Sequence, residues 1–225
     1  MNNRKVAVSW SGGKDCCLAL DQLIKDGYEV ACLVSMVSKK DDRNHAHGTQ
    51  LNFLQMQADA IGIPLVMIDS AGQYEESMIN GLKAIKEQFN LTSIAFGTLY
   101  VSEDRQWNEL VASQSGLQAL FPVWITKNES INLLNKWLMT GYNAIVCRAS
   151  ERIFDSSIVG RTLNEDLKEL FTSKEICPMG EGGEYHTFVI DGPLFKERLN
   201  IIDSEIILNS GLWSLNIKEI HTDTK

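Results

Sequence analysis

Short apolar runs recur through the first 125 residues, and each is followed by a stretch whose apolar positions have helical spacing. RKVAVSW (4–10), YEVACLVSMV (28–37), IPLVMID (63–69), SIAFGTL (93–99) and ALFPVWI (119–125) read as strands. Residues 15–25, 51–61, 74–89 and 103–114 read as the intervening helices, the first two closed by Gly27 and Gly62. Strand–helix alternation needs crossover connections, so the strands are expected to lie parallel with right-handed crossovers. The almost unbroken apolar run at 28–37 fits a strand buried on both faces. The predicted class is α/β with a Rossmann-like parallel sheet.

From about residue 128 the pattern changes. Residues 129–140 read as one more helix and NAIVCRA (143–149) as one more strand. A mixed polar segment, a glycine-rich stretch and a tail rich in β-branched residues follow. A boundary near residue 127 is expected, separating 1–127 from a smaller α+β part at 128–225. No low-complexity linker marks it, and no internal repeat is visible.

Composition narrows the setting. Of 225 residues, 44% are apolar, and no apolar run approaches the roughly 18 needed to span a bilayer, which argues against a membrane partner. MNNRKVAVSW runs straight into a strand pattern without a signal-peptide layout, so the expected location is cytoplasmic. The net charge is −8 and the longest basic run is Lys39-Lys40, which speaks against nucleic acid as a partner. The five cysteines form no CxxC pair and no Cys/His cluster at ligand spacing, so neither a disulfide framework nor a zinc site is expected. Cys16 and Cys17 read as packing residues on a buried helix face.

The loop SWSGGKD (9–15) lies between the first strand and the first helix. Glycines there allow a tight turn and close backbone approach. A helix N-terminus offers unpaired N–H groups to an anion, and Lys14 adds a full positive charge. Asp15 would repel a bare phosphate, so its presence suggests bridging Mg²⁺. The motif is neither GxxxxGK[ST] nor GxGxxG. It resembles the pyrophosphate-binding loop of the N-type ATP pyrophosphatases, which implies a HUP-type nucleotide-binding domain that splits ATP into AMP and pyrophosphate. On that resemblance Ser9, Ser11, Gly12, Gly13, Lys14 and Asp15 hold ATP. The base is expected near the end of the second strand, at Ser35, Met36 and Val37.

Two later motifs add polar chemistry. FGTLYVSEDRQW (96–107) follows a buried strand, so Gly97, Thr98, Glu103 and Arg105 fall on the carboxyl rim where parallel sheets bind ligands. Arg105 has the fork geometry for a phosphate or a carboxylate, although Glu103 and Asp104 also suit an ordinary helix start. CPMGEGGEYHTFVIDGPLF (177–195) gathers Glu181, Glu184, His186 and Asp191 among glycines such as Gly183. On an extended segment Glu184 and His186 would point to one face. Carboxylates beside an imidazole suit metal binding, amine binding or proton transfer, and a solvated hairpin is the plainer alternative. His221 reads as surface.

SGGKD, then FGTLY…EDR, then GEGGEYHTFVIDGPLF look like the diphthine–ammonia ligase family, supported by QADAIGIPL (57–65) and GYNAIVCRAS (141–150). The resemblance implies an adenylating amide ligase that uses ATP, Mg²⁺ and ammonium on a carboxylate acceptor, diphthine on elongation factor 2. It implies catalytic duties for Lys14, Arg105, Glu184 and His186, with Glu184 and His186 binding ammonium or taking its proton. Thr98, Glu103, Glu181 and Gly183 would face the substrate. Where the family carries Gly-Asp-Ile this chain has Gly97-Thr98-Leu99, and Met179 replaces the usual Cys before Gly180-Glu181. Two alternatives stay open: a different carboxylate acceptor, or a nucleotide-binding sensor without turnover. A tRNA-modifying pyrophosphatase is disfavoured by the acidic charge and missing CxxC. Assembly as a homodimer is left open.

Overall fold

The computed structural model describes residues 4–225. These divide into two compact units: the residues up to Ser11 together with Asp15–Trp124, and Gly12–Lys14 together with Ile125–Lys225.

The first unit alternates strand and helix: β1 (Lys5–Ser9), α1 (Lys14–Lys25), β2 (Glu29–Ser38), β3 (Arg43–Asn44), α2 (Leu51–Ile61), β4 (Leu65–Asp69), α3 (Tyr74–Phe89), β5 (Ser93–Ala95), α4 (Ser102–Gln114) and β6 (Gln118–Leu120). Lys14, the first residue of α1, is counted with the second unit. The sheet order is β3-β2-β1-β5-β6, with β4 also paired to β2. Every pairing is parallel except the short β2–β3 return. The expected Rossmann-like parallel sheet is present.

The local reasons are visible in the sequence. Residues Leu33–Val37 of β2 are buried without a break, as a strand covered on both faces requires. Helix α2 stops at Gly62, which takes the left-handed conformation (φ 83°) and returns its N–H to the Ala58 carbonyl. Helix α3 stops the same way at Asn90 (φ 55°), a residue that tolerates this region. Apolar positions of α3 and α4, among them Met78, Leu82 and Val111, pack with Ala7, Val34, Ile94 and Phe96 of the strands into one core.

Two strands are shorter than expected. The ladder at residues 93–99 ends at Ala95, because Phe96–Leu99 leaves the sheet. The run at residues 119–125 pairs only over Gln118–Leu120, since Pro122 has no N–H to continue the ladder.

The second unit holds α5 (Ser130–Leu138), β7 (Asn143–Ser150), α6 (Glu165–Ser173), β8 (Tyr185–Asp191), β9 (Glu197–Asn209) and β10 (Leu212–Thr224). Its sheet is antiparallel, in the order β8-β7-β10-β9. The β-branched tail is a long hairpin. Ser210 and Gly211 both have positive φ (50° and 81°), the two-residue turn whose twist matches that of paired strands. Helix α6, absent from the sequence reading, is capped by Asn164, whose side chain accepts the Leu167 N–H at 3.1 Å. Aromatic rings fill the core: Trp137 stacks on Tyr142 at 5.3 Å and Phe171 on Tyr185 at 4.5 Å.

Gly192 sits against this core with no room for a side chain. A Cβ there would lie 1.8 Å from Cδ1 of Tyr142, itself stacked on Trp137. Gly192→Ala is expected to destabilise the protein by about 1–3 kcal/mol, the usual cost of overpacking. Denaturant titration measures this, and an unchanged midpoint would show that the Tyr142–Trp137 stack yields freely.

Candidate functional site

In the first unit the loop leaves β1 under tight backbone control. Trp10 donates its N–H to the Val34 carbonyl at 2.7 Å and its indole N–H to Gln57 at 2.7 Å. The Ser11 carbonyl accepts Asn44 Nδ2 at 3.2 Å. The Ser11 hydroxyl donates to Cys16 Sγ at 3.5 Å. Burial pushes the Cys16 thiol up, but hydrogen bonds from Cys17 and Ser11 outweigh it and leave Cys16 below the ordinary range. Cys17, without that compensation, is raised. Both cysteines are buried, in keeping with a packing face. Asp15 stands in the first turn of α1, where negative charge is favoured.

Gly97 closes on the same turn. A Cβ on Gly97 would lie 2.9 Å from the Asp15 carbonyl carbon and 2.9 Å from the Cys16 nitrogen. Only a residue without a side chain can pass there. Thr98 beside it accepts Asn108 Nδ2 at 2.9 Å. The structure thus brings Gly97 to the loop as expected.

Arg105 is held by its own helix and by two aromatic rings. Its Nε donates to Glu109 at 2.8 Å, and its guanidinium lies 4.7 Å from the ring centres of both Phe121 and Trp124. Its fork is engaged by its own helix and by aromatic faces. Glu103 is exposed in the first turn of α4. At the end of β2, Ser35 and Met36 are buried. The Met36 carbonyl accepts the His45 N–H at 3.1 Å and the Val37 carbonyl the Ser70 N–H at 2.9 Å. These two carbonyls at the end of β2 thus receive N–H groups from the residue after β3 and from the segment after β4.

The second unit contains the tip of the loop, Gly12–Lys14, together with the third motif. Gly12 has φ 81°, the conformation its residue type permits, and Gly13 links it to Lys14. The Val189 N–H donates to the Gly12 carbonyl at 2.9 Å, and the Lys14 N–H donates to Thr187 Oγ1 at 3.0 Å. Lys14 is 3% exposed, with Nζ 5.1 Å from the Tyr185 ring centre. A cation buried this far needs negative charge or a π face, and Tyr185 supplies the latter.

Glu184 lies in a bend ahead of β8, not on the extended segment expected for it. Its Oε1 accepts the Cys177 N–H at 3.1 Å and its Oε2 the Gly182 N–H at 2.7 Å. The carboxylate ties the glycine-rich loop together, and Tyr185 closes the same loop by donating to the Pro178 carbonyl at 2.6 Å. Glu181 and Gly183 lie in that loop, Gly183 with φ 78° and an N–H bonded to the Gly180 carbonyl at 3.1 Å. Asp191, at the far end of β8, accepts Arg198 Nε at 3.0 Å and pairs with Lys225. His221 is exposed and pairs with Glu219 at 2.7 Å.

His186 lies on β8 opposite Arg148 of β7. Burial lowers its pKa, and the charges of Lys14 and Arg148 push it further, from 6.5 to about 4. The imidazole is neutral at pH 7, a weak base suited to hydrogen bonding.

Among the described residues no group of three or more His, Cys, Asp or Glu is placed to hold a metal. A protein-built cage is thus not the mode available. A lone carboxylate such as Asp15 fits the way Mg²⁺ is usually held, by one or two carboxylates plus substrate phosphates and water. No helix among the described residues is long and apolar enough to cross a membrane. The sequence reading missed Tyr185 and Thr187. The signal was the alternation in YHTFV, which sets residues 185, 187 and 189 at the two-residue period of a strand.

A parallel sheet whose first strand runs through a glycine–lysine loop into a helix defines an α/β protein of Rossmann-like architecture. Residues 4–119 match the family described as diphthamide synthase N-terminal domain, and residues 129–221 match diphthamide synthase C-terminal domain. The chain belongs to the diphthamide synthase family. A mouse protein named diphthine–ammonia ligase is 26% identical over 254 residues, covering 98% of this chain and 93% of its own length. A zebrafish (Danio rerio) protein of the same name is 27% identical over 248 residues, covering 96% and 95%. A solved structure titled "predicted subunit of tRNA methyltransferase", from Methanocaldococcus jannaschii, aligns with TM-score 0.41 and 15% identity over 84% of this chain and 97% of its own. That likeness is too distant to bear on function.

Two outcomes follow from the third motif. Glu184→Ala removes the acceptor of two partly buried backbone N–H groups, and a loss of about 1–3 kcal/mol in all is expected, since water reaches Gly182. Glu184→Gln keeps one acceptor oxygen and should lose less; equal denaturation midpoints for the two variants would refute the tie. His186 titrates near 4 in the fold against 6.5 as its ordinary value, so between those limits the unfolded chain holds more protons. Its contribution to stability is complete above pH 6.5 and is lost as pH falls toward 4. His186→Gln should flatten the fall of the unfolding midpoint across that window relative to the wild type, as read by thermal melts at stepped pH.

Proposed function

We propose that this chain is an ATP-dependent ligase that converts a carboxylate to an amide, taking diphthine on elongation factor 2 as acceptor and ammonia as nitrogen donor. The observation that carries this reading is the family match across both units of a chain that retains the glycine–lysine loop. It is supported by the mouse and zebrafish relatives named diphthine–ammonia ligase along nearly the whole chain.

The chemistry needs an activated carboxyl group, because a free carboxylate has no adequate leaving group. A carboxylate oxygen attacks the α-phosphorus of ATP, and the bond to the β-phosphate oxygen breaks to release pyrophosphate. Ammonia then attacks the acyl carbon, the bond to the AMP oxygen breaks, and nitrogen gives up a proton. Lys14 and the loop backbone are assigned to the charge that grows on departing pyrophosphate. Mg²⁺ on Asp15 would neutralise phosphate charge. Residues 1–127 are assigned to ATP and residues 128–225 to the acceptor.

The surroundings of His186 refine the expected role of the third motif. Lys14 and Arg148 favour an anionic group beside the imidazole and oppose an ammonium ion. Neutral ammonia is the form that such surroundings admit. Glu184 shapes the loop while His186 hydrogen-bonds the reacting carboxyl or phosphate. The enzyme is assigned to the cytoplasm.

The test is the separation of nucleotide products by chromatography. MgATP and ammonium are incubated with the protein, with and without elongation factor 2 carrying diphthine. AMP is expected only when the factor is present, at a rate about 10²–10³ lower for Lys14→Ala, the range for losing one preorganised charge-stabilising group. ATP binding without AMP formation on the factor would overturn the ligase assignment and leave a nucleotide-binding protein.

A further inference from the structure

β8 is the outer strand of its sheet, paired to β7 along one edge. On it, residues 185, 187 and 189 each reach the tip of the phosphate loop, by a ring face, a hydroxyl and a backbone N–H in turn. The Val189 N–H holds the Gly12 carbonyl at 2.9 Å. The Tyr185 ring lies under the Lys14 ammonium, and both side chains are buried.

Thr187 is the residue whose chemistry is hardest to explain otherwise. It is 1% exposed in the middle of an apolar strand, where valine would fill nearly the same volume without a hydroxyl to satisfy. Its hydroxyl oxygen accepts the N–H of Lys14, the first residue of α1. The first N–H groups of a helix have no acceptor within it, and an N-cap side chain normally supplies one locally. Here the acceptor comes from 173 residues away.

We propose that Thr187 is a positioning residue for the phosphate loop: by accepting the Lys14 N–H it fixes the start of α1 and aims Lys14 at the nucleotide. The third motif then serves ATP as well as the acceptor. This rests on the reading that Lys14 contacts phosphate, and it adds a residue acting through Lys14 without touching ATP itself.

Calorimetric titration of MgATP into five proteins tests it: wild type, Thr187→Val, Thr187→Ser, Lys14→Ala, and Thr187→Val combined with Lys14→Ala. Thr187→Val should weaken ATP binding about tenfold. Thr187→Ser, which keeps the acceptor oxygen and loses the methyl group, should stay within twofold of wild type. In the Lys14→Ala background the valine should cost less than twofold, since the side chain it misplaces is gone. Wild-type affinity in Thr187→Val would overturn the proposal. So would equal losses for serine and valine, or the same loss with and without Lys14. Serine rescue also separates positioning from folding, because a scaffold role for the methyl would fail in Thr187→Ser. The titration needs no acceptor, so a failure of the diphthine assignment leaves this result standing.

Discussion

The first turn of α1 carries backbone N–H groups that no helix can satisfy from within, and the first of them, on Lys14, finds its acceptor in Thr187 of β8. Its neighbours come from widely separated places in the sequence. Ser11 donates to Cys16, Gly97 brings its backbone to the Asp15–Cys16 peptide, and Thr187 accepts from Lys14. Within the second unit, the Lys14 N–H and its acceptor are 173 positions apart in the chain.

Electrostatics follows from the same arrangement. Lys14 is buried on a tyrosine face, and burial first, then the charges of Lys14 and Arg148, keep His186 uncharged. Glu184, the nearest carboxylate in sequence, answers to two backbone N–H groups of its own loop. The result is a second unit whose polar chemistry is cationic or neutral around His186. Such surroundings suit the carboxylate and phosphates of an adenylating ligase better than they suit a free ammonium ion.

The parallel sheet was legible because its evidence is local: apolar runs of strand length, helical periods, and glycine at helix ends. Strand ends at Ala95 and Leu120 were less so, since Phe96 and Phe121 continue an apolar pattern after the ladder has stopped. The glycine–lysine loop was legible as the turn from the first strand into the first helix, because glycines and an apolar run flank it. What sequence could not show is which polar groups are already taken. Arg105 looks like a free guanidinium until Phe121, Trp124 and Glu109 are placed around it. Glu184 looks like an acid–base group until its loop folds back upon it. Thr187 looks like an ordinary strand threonine, because its partner is remote in the chain.

That remoteness has a temporal side. The Thr187–Lys14 hydrogen bond joins residues 173 apart. At the roughly 5–20 residues per second of synthesis, the strand that receives the loop emerges on the order of ten to thirty seconds after the loop itself. Local structures such as the β9–β10 hairpin close in microseconds once both strands exist. The glycine–lysine segment is therefore made well before the strand that completes its hydrogen bonds. A nascent or truncated chain that stops short of β8 carries the motif without the contacts that give Gly12 and Lys14 their final setting.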